Sequence, residues 1–93
     1  MVIFISGPMT GYPNYNREAF YAAEKRLTIE GDIVLSPAYL PEGLTDAEYL
    51  HICKAYIDVS EGIYLLEGYE NSKGSIEELR YAEYKRLKVY KER

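Results

Sequence analysis

The chain has 93 residues and a mass of 10.7 kDa, enough for one domain, residues 1–93, with a modest core. Hydrophobic residues make up 47% and charged residues 28% of it, which excludes a disordered chain. Eleven Lys and Arg against 15 Asp and Glu leave a net charge of −4, the wrong sign for a protein that coats nucleic acid. One Cys and one His exclude a disulfide framework and a Cys-rich zinc module. No apolar run reaches the length of a membrane span and no signal peptide opens the chain. These features predict a soluble, cytoplasmic protein without a membrane partner, and imply no metal or organic cofactor.

In chain order, Val2-Ile3-Phe4-Ile5 is a short apolar run stopped by Ser6-Gly7-Pro8, the pattern of a buried strand. Gly and Pro punctuate the next residues through Asn14 and exclude regular structure there. A helix is predicted from about Asn16, as N-cap, to Glu30, with Ala19, Phe20, Ala23 and Leu27 as its apolar stripe and Gly31 as its stop. Ile33-Val34-Leu35 reads as a second strand, followed by a loop over residues 38–44. Thr45 and Glu48 form a capping box. They open a helix whose Tyr49, Ile52, Cys53, Tyr56 and Ile57 recur at the 3.6-residue period. His51 and Asp58 fall on its solvated face. Gly62 is expected to end this segment, and Ile63-Tyr64-Leu65-Leu66 to form a third strand. A loop over residues 67–74 leads to a last helix from Ser75 to about Leu87, and Lys88-Val89-Tyr90 reads as a short final strand.

Strands alternating with helices predict an α/β fold: a flavodoxin-like or Rossmann-like three-layer α/β/α domain around a parallel sheet of about four strands, order 2-1-3-4. Ligands of such sheets bind beyond the carboxyl ends of the strands, where the strand order reverses. Two Gly-containing loops fall there, residues 6–12 after the first strand and 67–75 after the third. The first is neither a dinucleotide fingerprint nor a P-loop, and by itself reads equally well as an ordinary connection. The second ends on Ser72-Lys73-Gly74-Ser75 at the start of a helix, where free amides and the helix dipole favour an anion. Glu78 has two readings. Ser75 and Glu78 have the spacing of a capping box; alternatively, the Glu78 carboxylate points into the cleft as nucleophile or general base.

Taken together, Ile3-Phe4-Ile5-Ser6-Gly7-Pro8-Met9-Thr10-Gly11, Pro13-Asn14-Tyr15-Asn16 with Ala19-Phe20, and Gly68-Tyr69-Glu70-Asn71-Ser72-Lys73-Gly74 with Glu78 resemble the nucleoside 2-deoxyribosyltransferase-like superfamily. The similarity is greatest to a small branch often encoded by phages and prophages, and it spans nearly the whole chain. The resemblance implies cleavage or transfer at the N-glycosidic bond of a 2′-deoxynucleoside or its 5′-monophosphate. Glu78, four residues after Gly74, would be the nucleophile that attacks C1′, which favours the cleft-facing reading. The resemblance also implies substrate contacts at Phe4, Ser6, Gly7, Pro8, Met9, Thr10, Gly11, Asn16, Cys53, Gly68, Tyr69, Ser72 and Gly74. Phe4 stands where members commonly carry a Tyr, and Cys53 where nucleotide-hydrolysing members carry an Asp. Thr10 stands where some use an Arg, and Glu61 where Asp is frequent. The alternative function is binding or sequestering of a nucleotide-like molecule without turnover.

A homodimer or higher homo-oligomer is expected. The 11 Tyr, against 2 Phe and no Trp, place Tyr49, Tyr56, Tyr81 and Tyr84 on two helices with more aromatic surface than so small a core covers. Charge is also segregated: residues 42–78 hold nine acids and two bases, residues 79–93 six bases and two acids, a distribution that can steer self-association.

Overall fold

A computed structural model describes residues 1–92. Four strands, β1 (Val2–Ser6), β2 (Ile33–Leu35), β3 (Gly62–Leu65) and β4 (Lys88–Lys91), form one sheet in the order β2-β1-β3-β4. All three pairings are parallel, as the alternation of strands and helices requires. The connecting helices are α1 (Arg17–Ile29), α2 (Asp46–Asp58) and α3 (Lys73–Tyr84).

The pleat of β1 divides the core in two. Ile3 and Ile5 point to one face, where Phe20, Ala23 and Leu27 of α1 cover them. Phe4 points to the other, against Cys53 and Ile57 of α2, Ala82 of α3, and Ile63 and Leu65 of β3. Successive strand residues alternate faces, so Ser6 shares the Phe4 face and emerges at the carboxyl end of β1 beneath α3. One helix lies on one side of the sheet and two on the other, the three-layer α/β/α arrangement.

Several boundaries differ from the sequence expectation. α2 stops at Asp58, and Gly62 opens β3 instead of ending the helix segment. A Cβ there would approach Met1 Sδ and Tyr90 Cε2 at 3.1 Å, so a larger residue would have to push these two side chains aside. Residue 61 serves the same junction: Glu61 accepts a hydrogen bond from the Val2 amide at 2.9 Å. α3 begins two residues before Ser75 and ends at Tyr84, three residues short of Leu87. Its end is a Schellman closure in which Arg86, at φ 62°, takes the left-handed position usually filled by Gly, and the Leu87 and Arg86 amides bond the Ala82 and Glu83 carbonyls. Gly31 closes α1 in the same way, at φ 98°.

Asn16 is a clearer correction. It precedes α1, but its side chain caps no helix amide and its backbone is left-handed. Its Nδ2 instead donates to the Pro8 carbonyl at 2.9 Å, tying the first loop to the start of α1. Three of the four helix tyrosines read as uncovered have partners inside the domain. Tyr56 packs on Phe4 with ring centroids 6.1 Å apart, Tyr49 donates to the Pro41 carbonyl and Tyr81 donates to Asp58. Of the four tyrosines read as uncovered, only Tyr84, 79% exposed, remains so.

The β1 and β3 exits are interlocked. The Leu66 amide bonds the Ser6 carbonyl at 2.9 Å, and a Cβ on Gly7 would lie 2.7 Å from Leu66 Cβ. Since Leu66 is fully buried, there is nowhere for it to retreat. Gly7→Ala should therefore destabilise the fold by about 1–3 kcal/mol. Gly74→Ala, in open space at the start of α3, should be neutral or mildly stabilising. Parallel denaturant titrations of the two variants measure the contrast.

Candidate active site

A cleft of about 910 Å³ opens at the carboxyl edge of the sheet. One wall is the loop after β1 (Gly7, Pro8, Met9, Thr10), and another is the amino end of α3 (Ser72, Gly74, Ser75, Glu78). Cys53 of α2 contributes to its lining. The sheet topology dictates this place: the connections leaving the adjacent strands β1 and β3 run to opposite faces, and the strand exits part between them.

Glu78 is the centre of the arrangement. Ser72, not Ser75, is the N-cap of α3: its Oγ accepts from the Ser75 amide at 3.2 Å. The capping-box reading of Ser75 and Glu78 is therefore replaced by a cap three residues earlier, which sets Glu78 in the second turn. There its Oε1 accepts a hydrogen bond from Ser6 Oγ at 2.6 Å. Cys53 lines the same cleft, close enough for thiol and carboxylate to affect each other's ionisation. Burial is the larger effect and raises the Glu78 pKa to about 7, against the lowering by Ser6 and Cys53, while the neighbouring Glu77 charge adds to the rise. Burial pushes the Cys53 thiol well above its ordinary value, and the Glu78 charge pushes it further. That thiol stays protonated and is not a nucleophile.

Ser75 supplies the other chemical feature. Its side chain is 2% exposed, it lines the cleft, and its Oγ has no hydrogen-bond partner among the described residues. A buried hydroxyl without a partner is costly. Here it stands beside the first amides of α3, where an anion or a ligand hydroxyl would satisfy it. Gly74 adds no side chain to this corner, and a Cβ there would touch nothing within 4 Å, so the approach to the helix amides is open.

Of the residues singled out from sequence, Gly7, Pro8, Met9, Thr10, Cys53, Ser72, Gly74 and Glu78 line the cleft, and Ser6 reaches it through its bond to Glu78. Five do not. Phe4 lies one pleat below Ser6, fully buried in the core. Asn16 is engaged with Pro8. Gly11 lies outside the lining, at φ 86°. Gly68, at φ 87°, packs under the first loop, where a Cβ would meet Tyr12 Oη at 3.0 Å and Pro8 Cγ at 3.3 Å. Tyr69 packs against the α2–α3 core. Conversely, Tyr12, Tyr15, Arg17, Leu40, Glu42, Leu44, Asp46 and Tyr49 also line the cleft without having been singled out. For those after β2 the available clue was topological: that segment leaves the same sheet edge as the two Gly-containing loops.

Among the described residues no group of three or more His, Cys, Asp and Glu side chains is placed to hold a metal ion. No helix in them is long and apolar enough to cross a membrane. Residues 1–91 match the family model described as Domain of unknown function (DUF4406), and the chain belongs to that family. No curated protein matches it.

The raised pKa of Glu78 has a sign that can be checked. Folding favours its protonated form, so the associated stability is fully present below the ordinary value of 4.5 and is lost as pH rises through about 7. The loss should be up to about 3 kcal/mol. Glu78→Gln should abolish this component and leave the variant more stable than the parent at pH 8. Urea titrations of both proteins between pH 5 and pH 8 make the comparison.

Proposed function

We propose that the cleft binds a 2′-deoxynucleoside or its 5′-monophosphate, and that the Glu78 carboxylate attacks C1′ in cleavage or transfer at the N-glycosidic bond. The position of Glu78 carries this reading: a carboxylate held by a hydroxyl donor in a cleft at the topological switch point. In the first step a Glu78 oxygen bonds to C1′, and the C1′–N bond breaks with its electron pair leaving on the base, which takes up a proton. In the second, water or another base attacks C1′ and frees the carboxylate. A carboxylate suits this task because it stabilises and then traps an oxocarbenium-like centre. The Ser72–Ser75 turn, with its unpartnered Ser75 hydroxyl, offers donors to a 5′-hydroxyl or 5′-phosphate. The resemblance of the two loop motifs to the deoxyribosyltransferase-like enzymes supports the same assignment.

Binding without turnover is the second reading, and Cys53 is the observation that favours it. A leaving base needs a proton, and a thiol with a strongly raised pKa is a poor acid. Incubating the purified protein with each 2′-deoxynucleoside and 5′-monophosphate, followed by chromatography, separates the two. Glycosidic cleavage releases free base from the parent, with Glu78→Gln lower by several orders of magnitude. The rate should rise with pH through about 7 as Glu78 ionises. Binding that survives Glu78→Gln, with no base released by either protein, would establish the second reading.

A further inference from the structure

The chain enters α1 through an unusual turn. Asn14 (φ 49°, ψ 33°), Tyr15 (φ 54°, ψ 30°) and Asn16 (φ 62°, ψ 20°) are all left-handed. L-residues visit this region singly and at a cost, and Asn tolerates it far better than an aromatic residue does. Both asparagines are compensated. Asn14 donates to Glu18 at 2.9 Å and accepts from Arg17 at 3.2 Å, and Asn16 donates to Pro8. Tyr15 has no comparable return. Its side chain is not buried in either core cluster but is 42% exposed and lines the cleft. The Arg17 guanidinium lies over the ring, 5.2 Å from its centroid, and is itself held by the Ala38 carbonyl and Glu42. A strained residue whose side chain is aimed at a cavity and kept out of the core points to a role in what the cavity holds.

We infer that Tyr15 is an aromatic platform that stacks on the planar base of the ligand, with Arg17 holding one face of the ring. The inference rests on the nucleotide reading above. Glu78 would act on the sugar, while the base lies toward the more exposed Tyr15. Stacking tolerates different bases because each has a π-face; this site would therefore select for a ring more than for a particular pattern of hydrogen bonds.

The test uses calorimetric titration in a Glu78→Gln background, so that ligand is not consumed. The probes are 2′-deoxynucleoside 5′-monophosphates and 2-deoxyribose 5-phosphate, which has no base. Tyr15→Gly should weaken the monophosphates roughly 10-fold and leave the base-free sugar phosphate unchanged. Tyr15→Phe, which keeps the ring, should restore binding. The thermal midpoint of Tyr15→Gly should hold or rise by a few degrees as the left-handed strain is relieved. Unchanged monophosphate affinity in Tyr15→Gly would overturn the platform and leave the nucleotide reading intact. Equal loss of both ligands, or a midpoint several degrees lower, would make Tyr15 a packing residue and overturn it too. If neither ligand bound before Tyr15 was altered, the nucleotide reading and the platform would fall together.

Discussion

The parallel register between β1 and β3 is the constraint on which the rest of the molecule depends. Ser6 pairs with Leu65, and the Leu66 amide continues the ladder one step further to the Ser6 carbonyl. Two chain exits therefore leave the sheet side by side at the same height. The first exit passes the second only because residue 7 has no side chain to strike Leu66. Beyond that crossing the chain after β3 makes a short 3₁₀ turn, Tyr69–Asn71, and Ser72 starts α3. The helix starts near the end of β1, so the last buried position of the strand and the second turn of the helix meet as Ser6 and Glu78. A shift of one residue in the register would send Ser6 to the α1 face, leaving Glu78 without its hydroxyl donor.

The same geometry explains why the cleft is costly to the fold. Glu78 ionises only against the penalty of burial, Ser75 keeps a hydroxyl without a partner, and the turn before α1 is left-handed through three residues. Each is individually unfavourable, and each borders the same cavity. The packed faces on either side of β1 show the opposite character: Phe4, Ile5, Phe20, Ile57 and Ile63 are fully buried. Polar and strained departures concentrated at one edge, over a regular apolar interior, are the pattern of a site whose demands conflict with stability.

Much of this architecture was legible in the sequence because its signals are local. Short apolar runs beside Gly and Pro gave the strands, and the Thr45–Glu48 box is present with both of its hydrogen bonds. The alternation of elements implies a parallel sheet, and the expected order 2-1-3-4, which the sheet has, sets the edge where the cleft lies. What the sequence concealed depends on competition between neighbouring residues. Ser72 and Ser75 are both plausible caps; Ser72 prevails because the chain is already turning at Tyr69–Asn71. Asn16 reads as a cap by residue type, yet the Pro8 carbonyl claims its amide. Phe4 and Ser6 differ by one pleat, and only the depth of the helices over the sheet decides that one is core and the other reaches the site. The wall formed by residues 40–49 carries no compact motif; it becomes visible only once β2 is placed beside β1.

The sheet also determines when, during folding, the cleft can exist. No two adjacent strands are joined by a hairpin: β1 pairs with β2 across about 30 residues and with β3 across about 60, and Ser6 meets Glu78 across 72. Contacts of this range are reached slowly, because the entropy of closing each long loop is lost before its pairing is gained. The β1–α1–β2 unit can assemble as soon as its own residues are present, but with one flank of β1 open. Until β3 arrives, that flank offers unpaired amides and carbonyls beside Phe4, an exposure that favours association with other chains. Completing the central pairing thus closes a vulnerable edge and creates the cleft in the same event.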